Sequence, residues 1–341
     1  CFSKVELDFS SGINVFIGEN GTGKTHLLKV LYYLKYEGLH ASFLRDTVRI
    51  EELFGLFDHE LLIRQNFNIS DIRYNHGSNL VKTKVELRGI ASDSFGAGSG
   101  GSQSSNSSKG IEKVKSLFLP VQEMLSWYNG FGSLYRERRI SFDRTYLDLA
   151  YALETIELRD KNLNGMASLL SMIEETIGGT VELGKDNNFY IVFKENQRRN
   201  QATVVATGIN KLAQLLRLIH NGSLDKETIL FWDEPTANLN PRYIKIVAQF
   251  LQALANTGCQ IFISTHDYLL TQLLSLASEY KSDKSNVPNM KFFALYPTDD
   301  GTKVETGSTL AEIEHDSIVE EYAKIYDLEQ ELFSETLTTK A

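Results

Sequence analysis

Cysteine is scarce in this chain. Its 341 residues include two cysteines, Cys1 and Cys259, whose separation resembles neither a zinc-binding spacing nor a disulfide framework. Such scarcity is typical of proteins from reducing compartments, so we expect a cytoplasmic location. The chain also lacks an apolar run long enough to span a bilayer, and no signal-peptide pattern opens it, which predicts no membrane partner.

An excess of basic charge is missing as well. The formal net charge of −9 argues against a globally basic nucleic-acid-binding protein, although it leaves room for a local basic groove. What the chain does have is 42% hydrophobic residues, enough to bury one large core with an additional lobe. Near the start of the sequence, the apolar residues Val5, Leu7 and Phe9 alternate with polar ones, as in a β-strand. What precedes Cys1 is undetermined.

A glycine-rich stretch gives the clearest signal. Gly18 to Thr25 matches the phosphate-loop pattern G-x-x-x-x-G-K-[ST] at every fixed position, with a strand pattern before it and leucines at helical spacing after it. We predict that Lys24 reaches the β- and γ-phosphates as a catalytic residue and that the Thr25 hydroxyl binds Mg²⁺. The predicted nucleotide contacts of this loop are Asn20, Gly21, Thr22, Gly23, Lys24 and Thr25.

A second motif follows another apolar run. Residues Ile229 to Trp232 have the pattern of a buried strand, and two acids, Asp233 and Glu234, come directly after them. Asp233 can hold Mg²⁺ directly or through water, and Glu234 can orient or deprotonate the water that attacks a γ-phosphate. Two acids after a strand are common by themselves, but downstream of a phosphate loop they predict a catalytic site.

Two more segments complete an ordered set of motifs. Pro235 to Pro241, which contains Asn238, follows the acids at once, and about thirty residues later a strand ends at Ser264, close to His266. In this order the motifs resemble the head of an ABC-type ATPase. The resemblance implies that Asn238 lies in the D-loop beside the nucleotide. It also implies that His266 is the catalytic switch histidine that senses the γ-phosphate.

The resemblance implies two further positions. Gln122, just after an apolar run that ends at Leu119, is similar to the Q-loop glutamine that contacts metal and nucleotide, and Glu123 is an alternative for that position. Thr207 and Gly208 match the place of the signature loop, which would contact the nucleotide of a partner subunit.

The signature segment departs from the family pattern. Ala206 stands where the family has a serine, and Thr207 stands where it usually has a second glycine. Thr207 could supply the missing hydroxyl, and Lys211 could add positive charge.

We therefore expect an α/β fold: a P-loop NTPase with a mixed, mainly parallel central sheet, an antiparallel β part and a helical lobe. Residues 1–341 would form a single ATPase domain. Within it we expect a flexible Gly/Ser loop at 96–108, a helical lobe at about 120–180, and strands and a helix at 285–341.

Four expectations concern strand pairing. The first strand would form an antiparallel hairpin with the phosphate-loop strand, and Ser70 to Arg88 would form another, pairing Ile72 and Tyr74 with Val81, Val85 and Leu87. Val181 to Val204 would form a meander, with Arg198 and Arg199 in a hairpin tip. Met290 to Tyr296 and Lys303 to Glu305 would be edge strands.

Within the superfamily, the glycine loop and the Asp233 segment look more similar to chromosome-maintenance, break-repair and OLD-type (overcoming lysogenization defect) ATPases than to transporter subunits. Standalone bacterial relatives of OLD proteins are often encoded beside a nuclease or toxin. The resemblance implies Mg-dependent ATP hydrolysis by a head-to-tail homodimer or higher oligomer. That assembly would switch a separate effector or a nucleic-acid partner in antiphage defence.

Other interpretations stay open. A nucleotide-gated scaffold with negligible turnover is favoured by Ala206 and opposed by Glu234 and His266, while a transporter ATPase subunit would need a conventional signature loop. About 75 residues follow His266 without a cluster of acidic metal ligands, and no long heptad arm separates the motifs, so we predict no nuclease activity.

A basic run with interleaved aromatic residues has two interpretations. It could contact a phosphate backbone or an acidic partner, but a solvated or internally paired helix face is favoured. Its basic members are Arg136, Arg138, Arg139 and Arg144.

Overall fold

The computed structural model describes residues 4–40, 68–74, 85–90, 115–138, 140, 142–157, 165–280, 287–299 and 301–339. The strands in these ranges are β1 (Lys4–Leu7), β2 (Ile13–Gly18), β3 (Asn68–Tyr74), β4 (Val85–Ile90), β5 (Lys115–Leu119), β6 (Gly179–Leu183), β7 (Phe189–Phe193), β8 (Arg199–Gln201), β9 (Thr228–Asp233), β10 (Gln260–Ser264), β11 (Met290–Thr298) and β12 (Gly301–Gly307). The α-helices are α1 (Lys24–His40), α2 (Phe131–Arg138), α3 (Arg144–Glu154), α4 (Ala167–Ile177), α5 (Thr207–His220), α6 (Pro241–Asn256), α7 (Tyr268–Tyr280) and α8 (Ser317–Thr339).

A six-stranded sheet forms the centre of the molecule. Its order is β12-β11-β2-β10-β9-β5, and every neighbouring pair is parallel except β11 with β12. This is the mixed, mainly parallel sheet that the sequence predicts, and the α/β fold class is confirmed. The phosphate-loop segment joins β2 to α1, as expected for a P-loop ATPase head.

Alternate residues of the parallel strands face two separate apolar cores. One face carries a row of phenylalanines, in which Phe118, Phe231 and Phe262 lie in register on β5, β9 and β10. The Phe231 and Phe262 rings stack with their centroids 5.0 Å apart, and α1 packs over this row. Because both faces are covered, these strands are continuous apolar runs rather than alternating ones.

The pairing of β1 corrects one expectation. β1 does not form a hairpin with β2, but pairs antiparallel with β4 in a separate three-stranded sheet of order β1-β4-β3. The physical reason is that β2 is hydrogen-bonded on both edges, by β10 and β11, so that no edge is left for β1. The β3–β4 hairpin itself is confirmed, with Ile72 opposite Leu87 and Tyr74 opposite Val85, whereas Val81 lies outside the described residues.

Two other pairings also differ from expectation. β11 is not an edge strand, because it lies parallel to β2 on one side and antiparallel to β12 on the other. The third strand of the β6-β7-β8 meander is Arg199–Gln201 rather than a strand through Val204, which lies in a 3₁₀ turn. Arg199 is therefore a strand residue, not part of a hairpin tip.

The helices of the 120–180 range pack in different places. α3 contacts β5, and α4 contacts α5 and α6. α4 ends at Gly178, whose left-handed φ of 67° turns the chain into β6. The Gly/Ser segment 96–108 lies outside the described residues. In the described ranges, no helix combines the length and apolar composition that a bilayer-spanning segment needs.

Candidate functional site

The carboxyl ends of the parallel strands meet at one edge of the sheet. Gly18 ends β2, Asp233 ends β9 and Ser264 ends β10, with Ser264 directly opposite Asp233 in the strand register. In open α/β sheets this edge is where ligands bind. The three motifs that are far apart in sequence are thereby brought together.

The glycine loop is held tightly where it leaves β2. Gly18 has a φ of 134°, and a Cβ placed there would lie 2.1 Å from the carbonyl oxygen of Leu295 on β11, so that only glycine fits. Further along the loop, the Thr22 hydroxyl donates to the Glu19 carbonyl at 2.8 Å. Asn20 and Gly21 are exposed, whereas Thr22, Gly23 and Lys24 are buried. The predicted phosphate loop is therefore formed and ends at the first turn of α1.

The side chain of Lys24 lies inside this loop. Its Nζ donates to the carbonyl oxygens of Gly18 at 2.7 Å and Glu19 at 2.9 Å. Burial lowers the pKa of Lys24, and the negative charges of Glu234 and Asp233 oppose that shift. The ammonium therefore sits among the loop carbonyls and the two acids, which is where a phosphate-binding cation is needed.

Thr25 and Asp233 form an oxygen-rich pair. The Thr25 hydroxyl lies 3.0 Å from each carboxylate oxygen of Asp233, and the Ser264 hydroxyl also hydrogen-bonds Asp233. Hydroxyl and carboxylate oxygens are the hard ligands that Mg²⁺ prefers. These residues fit the predicted magnesium site, in which Thr25 and Asp233 would hold the ion.

Glu234 and His266 form a second pair beside the first. Nδ1 of His266 lies 2.7 Å from Oε1 of Glu234, and the Glu234 backbone N–H donates to the Ser264 carbonyl at 2.9 Å. Glu234 has a φ of 48°, an uncommon conformation for a residue other than glycine that is enriched at functional sites. The side chain of His266 is 63% exposed, whereas that of Glu234 is 14% exposed. The pair therefore faces a surface that ligand can reach.

A cleft of about 520 Å³ lies at the start of α5. It contains three of the predicted site residues, Gln122, Thr207 and Asn238. Glu123, the alternative to Gln122, also lines it. Three further lining residues belong to no spaced motif and could not be found from sequence: Ser126, Trp127 and Thr203.

Gln122 and Glu123 differ in their surroundings. Gln122 is exposed, and its backbone hydrogen-bonds the hydroxyl of Tyr146 on α3, whose pKa burial raises to about 12. Glu123 is buried, and its carboxylate accepts hydrogen bonds from the Ser126 backbone N–H and hydroxyl. Glu123 thus caps a local turn, which leaves Gln122 as the better placed of the two to meet a ligand in the cleft.

The signature segment opens a helix. α5 begins at Thr207, and a Cβ on Gly208 would lie 2.9 Å from the carbonyl oxygen of Asn238, so the helix start is pressed against the predicted D-loop. Ala206 precedes the helix without a side-chain cap. The suggestion that Lys211 adds charge to a partner's site is wrong, because its side chain points inward.

Lys211 is instead the site residue whose role the sequence reasoning missed. Its Nζ donates to the backbone carbonyls of Glu234 at 2.6 Å and Ala237 at 3.3 Å. Burial lowers its pKa to about 8, against the opposing charges of Glu234, Asp233 and Glu123. No spaced motif marks this role, because α5 mixes polar and apolar residues and only its packing shows which polar side chains turn inward.

The basic run is largely paired within the chain. Arg144 binds Asp148 at 2.8 Å, and the Arg136 guanidinium donates to the Gly132 carbonyl. The neighbouring aromatic Tyr128 packs against Phe189 rather than standing free to stack on a base. The Arg138 side chain and Arg139 lie outside the described part. The described residues thus favour the internally paired helix face.

A family comparison covers most of the chain. Residues 13–271 match a family model described as "AAA domain, putative AbiEii toxin, Type IV TA system". The matched range contains the glycine loop, both acids and His266.

Individual relatives match over shorter or more divergent stretches. The DNA replication and repair protein RecF of Bacillus cereus (strain G9842) is 42% identical over 55 residues, which make up 16% of this chain and 15% of that relative. The match thus spans a small part of the relative's length. Among solved structures, the SMC head domain from Thermotoga maritima is similar over 87% of this chain and 90% of that chain, with 11% identity and a TM-score of 0.39. An SmcHead bound to the C-winged helix domain of ScpA is similar over 88% and 91%, with 13% identity and a TM-score of 0.39.

Proposed function

Because this chain belongs to the AAA domain family whose model matches residues 13–271, we propose that it binds Mg-ATP and hydrolyses it at the edge formed by the phosphate loop, β9 and β10. The observation that carries this proposal is the convergence of two pairs at that edge. Thr25 lies 3.0 Å from Asp233, and His266 lies 2.7 Å from Glu234.

Each residue has a distinct task in the proposed reaction. Bound Mg²⁺ supplies positive charge that offsets the negative charge of the transferring phosphoryl group. Lys24 holds the phosphates with its buried ammonium, and Glu234 orients the attacking water and accepts its proton. His266 fixes the direction of the Glu234 carboxylate through the hydrogen bond at Nδ1. Thr25 and Asp233 hold the metal ion.

The proposed assembly is a head-to-tail homodimer or higher oligomer. At the interface, Thr207 and Gly208 at the start of α5 would contact the nucleotide held by the partner subunit. Gln122 would contact the metal and nucleotide, and Asn238 would lie beside the nucleotide. A nucleotide that binds the closed dimer more tightly than the open one would then switch its conformation.

The output that we propose is control of a separate effector, a nuclease or toxin, or of a nucleic-acid partner in antiphage defence. It is supported by the family description, which names a toxin and a toxin–antitoxin system, and by the short similarity to a replication and repair protein.

A cytoplasmic location is part of the proposal, supported by the free, buried Cys259. We propose no nuclease activity for this chain. Metal-dependent DNA cleavage by the pure protein would contradict that statement.

Steady-state ATPase activity of the pure protein beside a Glu234→Gln variant tests the proposal. Light scattering after size exclusion, with and without Mg-ATP, is measured on both. We expect turnover in the wild type, together with loss of turnover and a nucleotide-dependent oligomer in the variant. Glu227→Gln, a change of an exposed acid just before β9 at the opposite edge of the sheet, is the matched control and should behave as wild type.

Two outcomes would replace this proposal. Assembly with ATP but no turnover in either protein would favour the nucleotide-gated scaffold, which Ala206 also favours. Turnover that needs a membrane protein would favour the transporter subunit.

A further inference from the structure

A buried lysine lies behind the proposed catalytic acid. Lys211, on the first turns of α5, is 2% exposed, and its ammonium donates to the carbonyl oxygens of Glu234 and Ala237. Both acceptors are neutral backbone groups, so these two hydrogen bonds of Lys211 do not form an ion pair. Burying an ammonium costs free energy unless it finds hydrogen-bond partners. The charge-assisted hydrogen bonds that it donates to the two carbonyls stabilise the backbone that carries them.

The backbone that Lys211 holds has an unusual conformation. Glu234 and Asn238 both have positive φ, 48° and 65°, although neither is glycine. Such residues persist only where surrounding contacts enforce them. Within the turn, the Ala237 N–H donates to the Glu234 carbonyl at 3.1 Å and the Leu239 N–H to the Thr236 carbonyl at 3.0 Å. Lys211 adds an external clamp to the Glu234 and Ala237 carbonyls.

The same turn touches α5 at a second point. A Cβ on Gly208 would lie 2.9 Å from the carbonyl oxygen of Asn238. The first residues of α5 therefore contact both ends of the segment from Glu234 to Asn238. A displacement of this helix start would be passed to the backbone of Glu234, because no gap separates them.

We propose that Lys211 is a positioning residue, which holds the Glu234–Asn238 turn so that the Glu234 carboxylate stays directed at His266. Through this clamp, movement of the start of α5 reaches the acid of the same subunit. The effect on ATP turnover rests on the proposed function, whereas the effect on the Glu234–Asn238 backbone does not.

Hydrogen exchange of the free protein tests the structural part. In Lys211→Met, which keeps the length of the side chain but removes the donors, we expect the amides of Ala237 and Leu239 to exchange about tenfold faster than in wild type. Arg217→Met is the control, because Arg217 is a buried cation on the same helix whose donors instead bind the carbonyls of Leu153 and Thr155 and the carboxylate of Glu157. It should leave the exchange of Ala237 and Leu239 unchanged.

This experiment decides whether the Lys211 clamp exists, whether or not the protein hydrolyses ATP. Unchanged protection of Ala237 and Leu239 in folded Lys211→Met would overturn the proposal, as would equal acceleration in the Arg217→Met control. If Lys211→Met does not fold, Lys211→Gln, which keeps one shorter donor group, is measured with the same expectation.

Kinetics tests the positioning role. We expect Lys211→Met to lower kcat about tenfold or more while the Kd for a fluorescent ATP analogue changes less than about twofold. Lys211→Arg, which retains charged donors, should recover part of the lost kcat. A raised KM with unchanged kcat would contradict the positioning role. If wild type itself shows no turnover, the proposed function fails, while hydrogen exchange still decides whether the clamp exists.

Discussion

His266 and Glu234 are joined by a 2.7 Å contact between Nδ1 and Oε1, although they follow different strands. Residue 266 comes two positions after β10, and residue 234 directly after β9. Because β9 and β10 are parallel neighbours, their ends lie side by side, and the contact is fixed by the sheet rather than by a local turn.

Removing the imidazole should therefore release the carboxylate. We predict that His266→Ala lowers kcat about a hundredfold, since an unpositioned catalytic group loses most of its effect, with little change in ATP affinity. Steady-state kinetics and nucleotide binding measure the two quantities. His315→Ala is the control, because His315 makes a similar contact, 3.0 Å long, with Glu305, which belongs to none of the site motifs. An equal loss of kcat in both variants would contradict the assignment.

The Thr25 hydroxyl should set the magnesium requirement. We predict that Thr25→Val raises the Mg²⁺ concentration needed for half-maximal ATPase activity about tenfold, because one hard oxygen ligand is lost. Thr25→Ser keeps the hydroxyl and should stay near wild type. The measurement is a Mg²⁺ titration at fixed ATP, and a Thr25→Val midpoint equal to that of wild type would remove Thr25 from the metal site.

Gly18 should be intolerant of any side chain. We predict that Gly18→Ala destabilises the fold by about 3 kcal/mol or more, because its Cβ would lie 2.1 Å from the Leu295 carbonyl oxygen at a φ of 134°. Gly130→Ala is the matched control: its φ of 77° is also positive, but a Cβ there meets nothing within 4 Å. It should cost about 1 kcal/mol. Urea unfolding measures the free energy of unfolding of both variants. Equal losses in the two would show that the backbone shifts to relieve the contact with the Leu295 carbonyl.

Asp225 should make stability depend on acid pH. Burial raises the pKa of Asp225, but hydrogen bonds from Lys115 and Thr228 outweigh burial, and the net shift is below the ordinary 3.8. A lowered folded pKa stabilises the fold above 3.8, and that contribution is lost as the pH falls through the folded value.

Asp225→Asn should thus be less stable than wild type near neutral pH by about 1 kcal/mol. The difference should shrink as the pH falls below about 3.8, where wild-type Asp225 is protonated too. Glu227→Gln, in the same loop, should match wild type throughout. A difference that stayed constant across this pH range would show that the Asp225 charge is not involved.

Motif residues were the part of the site that could be predicted from sequence. Lys24, Thr25, Asp233, Glu234 and His266 each lie at or just beyond the end of a buried strand or at the start of a helix. Parallel strands expose their carboxyl ends at one edge, so placing these residues on such strands already implies that they meet. Lys211 could not be predicted in the same way, because its acceptors are backbone carbonyls that leave no trace in sequence.

The sequence by itself determined where the phosphate loop and the strands β2, β9 and β10 lie, and that the central strands are parallel and covered on both faces. These properties follow from local spacing and apolar pattern. The tertiary structure decided which strands are neighbours: β1 joins β4, and β11 lies inside the sheet beside β2. It also decided that Lys211 faces inward to the Glu234 turn. Such choices depend on which edge and which buried acceptor remain available once the other elements have packed, and local pattern carries no record of that competition.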